Sequence, residues 1–340
     1  MSFLKYQKQS PEFLSNYLKY KRYIDFGAQT TTDETFFDLR TLFRYVKLYL
    51  YDKNKLVNIT KEEFKKIDIT DVTIEDLEKM NQNDLQNYLF FLDSTLENVS
   101  KTRNRKLASM KRLYEYLETN NLINVNPTKW MHSATIEKRQ PKYLDLKESK
   151  QLLANTINSD SRYKIRNYAI ICIFLNCSLR LSELVGINLT DLKIDNSEQS
   201  LRVTGKGNKQ RILYLNSAVC EAINTYLKVR PPLDKSNKDY NALFLSSREK
   251  RISQRSVQDI IKSELKELME SKGKESAKYH THTLRHSCAT LLYNEANVDI
   301  FVLKRILGHE SLVATEVYTH VSDKKLRELM QNFNILNRKD

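Results

Sequence analysis

Three short stretches in the second half of the chain bring together residue types that handle charge and protons. Cys177-Ser-Leu-Arg180-Leu-Ser-Glu183-Leu184 sets an arginine directly behind an apolar run, where a solvated charge is not expected. His282-Thr-Leu-Arg285-His286 spaces His282 and Arg285 three apart, on one face of a helix. Leu307-Gly308-His309 is followed nine residues later by Tyr318-Thr-His320, and Lys206 lies in a predicted hairpin turn, Gly205-Lys206-Gly207-Asn208. A guanidinium grips two oxygens of an oxyanion at once. Imidazole exchanges protons near neutral pH. A phenol, with a pKa near ~10, needs a base or a positive field before it attacks.

Taken singly, each residue also has a plain structural reading. Arg180 alone is a salt-bridged surface arginine, Lys206 alone a solvated turn lysine, and Tyr318 one tyrosine of 19. His282 and His286, four apart, are a feasible metal-ligand pair, and His280 lies close by. No acidic or cysteine partner accompanies them at a metal-like spacing, so no metal is predicted, and His286 and His320 are read as packing neighbours.

Together the stretches resemble the catalytic domain of the tyrosine recombinase (phage integrase) family over roughly residues 144–325. That family carries an ordered set of Arg, Lys, His, Arg, His or Trp, and Tyr, matched here by Arg180, Lys206, His282, Arg285, His309 and Tyr318. One departure is Ser178, where the family usually has glycine before its Leu-Arg; this bears on the local turn.

The resemblance implies phosphodiester transfer, and each residue type fits a part of it. Tyr318 is the nucleophile, and His282 accepts its proton directly or through water. Arg180 and Arg285 stabilise charge on the non-bridging oxygens, and His309 adds a hydrogen bond. Lys206 protonates the leaving 5′ oxygen, and Glu183 supports the site without reacting. Two arginines and a lysine supply the charge that metal ions supply elsewhere, so no cofactor is expected. The phosphotyrosyl bond keeps the energy of the bond broken, so rejoining needs no ATP.

These residues must be held by elements the rest of the sequence encodes. Six glycines and five prolines in 340 residues predict a mainly helical chain. Helices are expected over 11–26, 33–51, 75–80 and 83–96, with a connecting segment at 52–73. Ser100 is expected to cap a helix to Thr119. One side of it is apolar, and the other carries Lys101, Arg103, Arg105, Lys106, Lys111 and Arg112. That side is either a solvated face or, as in the family's major-groove helix, a DNA contact, with Arg105 and Lys111 foremost. The polar stretch 134–143, with Pro141, marks a domain boundary. Asp145-x-x-Glu148 reads as a capping box opening a helix, and 165–177 as a nearly wholly apolar core helix. Short strands are expected at 191–194, 200–207, 209–215 and 242–246, with helices at 216–229, 254–271 and from 283 onward.

The expected fold is thus mainly α with a small β-sheet. A helical core-binding domain (1–135), a linker (136–143) and an α+β catalytic domain (144–340) would form the family's C-shaped clamp on DNA. The amphipathic segment 323–337, with Leu326, Leu329, Met330 and Phe333, is expected either to pack on its own chain or to dock on a neighbouring subunit.

The net charge of +14 suits a polyanionic partner. Residues 141–340 carry the larger share, with 33 basic against 23 acidic side chains. Cys172, Cys177, Cys220 and Cys288 form no CxxC pair and read as core thiols of a reducing compartment. With no signal peptide or membrane-length apolar run, a cytoplasmic protein is expected. The implied partners are duplex DNA with a specific recombination site and a tetramer on it. That tetramer is made of this chain alone or with a paired recombinase, and an accessory factor such as a DNA translocase is a further candidate. No extra arm-binding domain is apparent ahead of the bundle, which leans toward a Xer-like recombinase that resolves chromosome or plasmid dimers. An integrase, excisionase or invertase of a mobile element, a type IB topoisomerase and a regulator without catalysis are the alternatives.

Overall fold

The structure is a computed structural model that describes residues 6, 8–24, 29–135, 141–195, 199–205, 208–294 and 298–308. Lys206, His309, Tyr318, His320 and the segment 323–337 lie outside the described residues. The chain divides into two compact units, residues 1–138 and 139–340.

The first unit is helical. It contains α1 (Glu12–Tyr23), α2 (Gln29–Tyr51), α3 (Lys53–Asn58), α4 (Lys61–Lys66), α5 (Ile74–Glu78), α6 (Gln82–Ser94) and α7 (Ser100–Thr119). The segment 52–73, expected as a connection, instead holds α3 and α4. Asp52 caps α3, and Thr60 with Glu63 forms a capping box on α4, so local side-chain caps make helices where apolar periodicity is weak. Val99, not Ser100, occupies the cap position of α7 and supplies no side-chain cap. Ser100 is its first helical residue, its hydroxyl accepting from Arg103 Nη2 at 3.1 Å.

Helices α2 and α7 pack together. Leu39, Phe43 and Val46 of α2 join Leu107, Met110, Leu113 and Leu117 of α7 in one buried core. A polar contact crosses the same seam. Asp38, buried, accepts from Arg105 Nη1 at 2.7 Å and from Ser109 Oγ at 2.9 Å, and pairs with Lys106 Nζ at 3.3 Å. Lys106 is buried too and donates to Thr41 Oγ1 at 2.9 Å. Burial pulls its pKa below the ordinary lysine value although Asp38 opposes the shift. The basic side of α7 is therefore split: Lys101, Arg105 and Arg112 lie on the exposed stripe, while Lys106 faces inward.

The second unit wraps around one helix. Its elements are α8 (Leu146–Asn158), α9 (Lys164–Cys177), α10 (Leu181–Gly186), α11 (Ser217–Val229), α12 (Gln254–Glu270), α13 (Thr281–Asn294) and α14 (Ile300–Leu307). Strands β1 (Leu192–Ile194), β2 (Gln199–Thr204) and β3 (Gln210–Tyr214) form an antiparallel sheet in the order β1-β2-β3. The Asp145/Glu148 box opens α8 as expected. Helix α9 packs against α8, α11 and α13, and Ala169, Ile170, Ile171, Ile173 and Phe174 are fully buried. An apolar surface all round suits a helix covered on every side. Residues 242–246 are not a strand: Ala242 and Leu245 make single bridges, to Asn188 and Arg251. All four cysteines are buried and free.

No helix among the described residues is long and apolar enough to cross a membrane.

The Asp38 contact sets an expectation for stability. Asp38→Ala strands the Lys106 ammonium inside the bundle and should cost about 3–5 kcal/mol in urea denaturation. Lys106→Met leaves Asp38 its bonds from Arg105 and Ser109 and should cost under about 1.5 kcal/mol.

Candidate active site

The site forms where α9 ends. Cys177 closes the helix and Ser178 takes the left-handed conformation, φ 52° and ψ 38°. Glycine adopts this geometry freely, whereas for other residues it costs about 1–2 kcal/mol. Ser178 is fully buried, and its hydroxyl donates to the backbone oxygen of Arg285 at 3.1 Å. The turn sends the chain into α10, with Arg180 at its N-terminal cap position.

Arg285 approaches from α13. Its guanidinium donates to the oxygens of Ser178 and Leu307, the latter at 2.7 Å, and the side chain is buried. Arg180 donates to Gly308 O at 3.1 Å and to Glu183 Oε1 at 3.0 Å, with 36% of its side chain exposed. The two arginines thus reach adjacent carbonyls where α14 ends, at Gly308 in the left-handed conformation with φ 62°. His309 follows directly in the chain. The three sequence stretches, 128 residues apart at the Arg180–Gly308 bond, meet at this turn.

His282 sits one turn of α13 before Arg285, at the exposed start of the helix. The His280 and His282 rings meet edge to face at 5.9 Å. Partial loss of hydration lowers the pKa of His282, and the charges of His280, Arg285 and Arg180 push the same way. His286, one turn further and half-buried, is pushed down to about 4, chiefly by burial. The shift at His282 favours the neutral ring, the form that accepts a proton.

Glu183 is buried and fully used. It accepts from the Arg180 backbone N–H at 2.8 Å and side chain at 3.0 Å, and from Arg211 Nη1 and Nη2 at 2.7 and 3.0 Å. Burial works to raise its pKa. The bonds and charges of the two arginines outweigh it and hold the carboxyl below its ordinary value.

Arg211, on β3, was not singled out by sequence. Its stretch Gln-Arg-Ile-Leu-Tyr presents apolar Ile212 and Tyr214 to solvent, while Arg211 shares the inner face with Leu213. The signal was alternation around Leu213, masked by two exposed apolar residues. Next to it, Gly205 N–H donates to Lys209 O at 2.8 Å, and a Cβ on Gly205 would lie 3.3 Å from Glu183 Oε1. The strand ends flanking Lys206 therefore leave from beside Glu183.

Of the basic residues expected on α7, Lys101 and Arg105 are exposed. Arg103 is tied to Asp93, Asn98 O and Ser100, and Lys111 donates to Met131 O at 2.9 Å. Lys106 is buried against Asp38 and does not share the outer face.

A mainly helical unit thus brings two arginines to one helix terminus, with a histidine one turn before the second of them. Residues 142–325 match the family model described as "Phage integrase family", and the chain belongs to that family. It is 44% identical over 329 residues to tyrosine recombinase XerC of Caldanaerobacter subterraneus subsp. tengcongensis, covering 96% of this chain and 87% of that relative. Its fold is similar to that of the Tn1549 transposon integrase in complex with a circular intermediate DNA (TM-score 0.63, 18% identity, 84% of this chain and 98% of that one). It is likewise similar to XerH site-specific recombinase bound to difH substrate (TM-score 0.58, 22% identity, 76% and 72%). The chain is a Xer-like site-specific tyrosine recombinase, and a mobile-element integrase is the less favoured reading.

Ser178 gives a paired test of the turn. Ser178→Ala keeps the strained φ and loses the bond to Arg285 O, and should destabilise by about 1 kcal/mol. Ser178→Gly loses the same bond but relaxes the turn, and should fall within about 0.5 kcal/mol of the parent in urea melts.

Proposed function

We propose that this chain cuts and rejoins duplex DNA at a specific recombination site through a 3′-phosphotyrosyl bond to Tyr318. The observation that carries the reading is the convergence of Arg180 and Arg285 on the carbonyls of Gly308 and Leu307. Two guanidiniums at one place provide for an anionic, five-coordinate phosphate.

In this reading the Tyr318 oxygen attacks phosphorus while its proton passes to His282. The bond to the 5′ oxygen breaks, and that oxygen takes a proton from Lys206. Arg180, Arg285 and His309 hold the non-bridging oxygens, and Glu183 holds Arg180. The reverse steps, with a 5′-hydroxyl of another strand, rejoin the DNA without ATP, metal or cofactor. Exposed Lys101 and Arg105 on α7 are the first candidates for DNA backbone contact, with Arg103 and Lys111 beside them; Lys106 serves the bundle instead.

We assign the biological role as resolution of chromosome or plasmid dimers in the cytoplasm, linked to chromosome partition at cell division. The support is the XerC name of a relative similar along nearly the whole chain. A tetramer on DNA, of this chain alone or with a paired recombinase, fits that role. The amphipathic segment 323–337 would join neighbouring subunits, and a DNA translocase or other accessory factor would select the direction.

A nicked suicide duplex tests the chemistry. The parent should accumulate a covalent protein–DNA adduct at the 3′ phosphate, and Tyr318→Phe should form none; an adduct persisting in that variant refutes the nucleophile assignment. Arg180→Ala should slow adduct formation by about 100-fold or more.

The depressed pKa of His282 sets a pH expectation. A base that stays neutral below the ordinary histidine value of 6.5 keeps working there. Single-turnover cleavage should therefore fall on acidification with a midpoint below pH 6.5; a fall centred at or above 6.5 contradicts the assignment.

A further inference from the structure

Arg211 has no part in the reaction as set out above, yet it is built into the site more tightly than Arg180. Its side chain is 17% exposed, and it holds both oxygens of Glu183, whose side chain is fully buried. Its guanidinium is also the floor beneath Gly308. A Cβ on Gly308 would lie 3.1 Å from Nη1, 3.2 Å from Cζ and 3.3 Å from Nε of Arg211. Its Nε–H is buried with no hydrogen-bond partner among the described residues.

Charge bookkeeping shows why this matters. Glu183 contacts Arg180 through both backbone and side chain. A buried carboxylate so close would cancel the charge of Arg180 at the substrate phosphate. Arg211 places a second positive charge on the same carboxylate, so the trio Arg180–Glu183–Arg211 keeps a net charge of +1. With Arg211 neutral the trio is neutral. Because Glu183 is fully buried and Arg211 largely so, that difference is screened less than it would be in bulk water.

We propose that Arg211 is a positioning residue that occupies Glu183, so that Arg180 keeps its charge for the phosphate, and that supports the Gly308 turn leading to His309. This rests on the reading of Arg180 as a phosphate ligand and Tyr318 as nucleophile. The requirement for a flat floor also explains a glycine at 308: any side chain there meets the guanidinium, in addition to the left-handed strain.

The test is single-turnover cleavage of two nicked suicide duplexes, one with the natural scissile phosphate and one with a methylphosphonate in its place. The methylphosphonate removes a negative charge from the non-bridging oxygens and with it the demand for Arg180. Arg211→Gln should slow cleavage of the natural phosphate by about 30-fold or more, with DNA affinity within about twofold of the parent. On the methylphosphonate the same variant should be within about threefold of the parent. A folding defect would slow both substrates alike. Equal loss on the two duplexes by a variant that melts like the parent, or no loss on either, overturns the proposal.

A second variant guards against unfolding of the first. R211Q/E183Q leaves no charged partner stranded and restores the net +1 around Arg180. It should cleave the natural phosphate at least about tenfold faster than R211Q, or within about tenfold of the parent if R211Q does not fold. A double variant as slow as R211Q, or more than about 100-fold below the parent, refutes the charge argument. Tyr318→Phe is run alongside. An adduct in Tyr318→Phe means that the underlying reading has failed; no adduct there, with Arg211→Gln unimpaired, means that only the role of Arg211 has failed.

Discussion

A buried guanidinium left without hydrogen-bond acceptors costs the fold several kcal/mol. Arg285 imposes that demand on the second unit. Its acceptors include two carbonyls from distant parts of the chain, Ser178 at the end of α9 and Leu307 at the end of α14. Helix ends supply carbonyls that have no partner within the helix. The charge and the two helix termini thus solve each other's problem, and the solution fixes where three elements meet.

Much of the remaining structure serves this meeting point. The apolar stretch 169–175 of α9 anchors the helix end, because it cannot move toward water without exposing core. The left-handed turns at Ser178 and Gly308 redirect the chain over short distances. Ser287 ties the entry of the unit to α13, its hydroxyl accepting from the Leu144 N–H at 2.7 Å. The described polar groups of the site, Arg180, Glu183, Arg211, His282 and Arg285, are accordingly held by helices and a strand, which suits chemistry that depends on preorganised charge.

The first unit follows the same logic at a different place. Asp38 sits between α2 and α7 and gathers Arg105, Lys106 and Ser109. This contact fixes the rotation of α7, and so decides which of its basic residues face outward. Lys101, Arg105 and Arg112 recur on the exposed stripe, while Lys106 lines the seam.

Sequence alone determined the helix-rich character, the box at Asp145 and Glu148, the apolar core helix, and the ordered set of reactive residue types, because these depend on local spacing and side-chain chemistry. It did not determine the partners of the charges. Lys106 and Arg211 look like solvated cations in a one-dimensional reading, since each directly follows a run of polar and charged residues. Tertiary structure turned both inward, because each lies opposite a buried carboxylate from a distant segment, Asp38 or Glu183. The same holds for Ser178, whose left-handed turn is stabilised by a hydroxyl bond to a residue 107 positions away. Periodicity tells which face of an element is apolar, but only long-range packing decides which buried charge meets which acceptor.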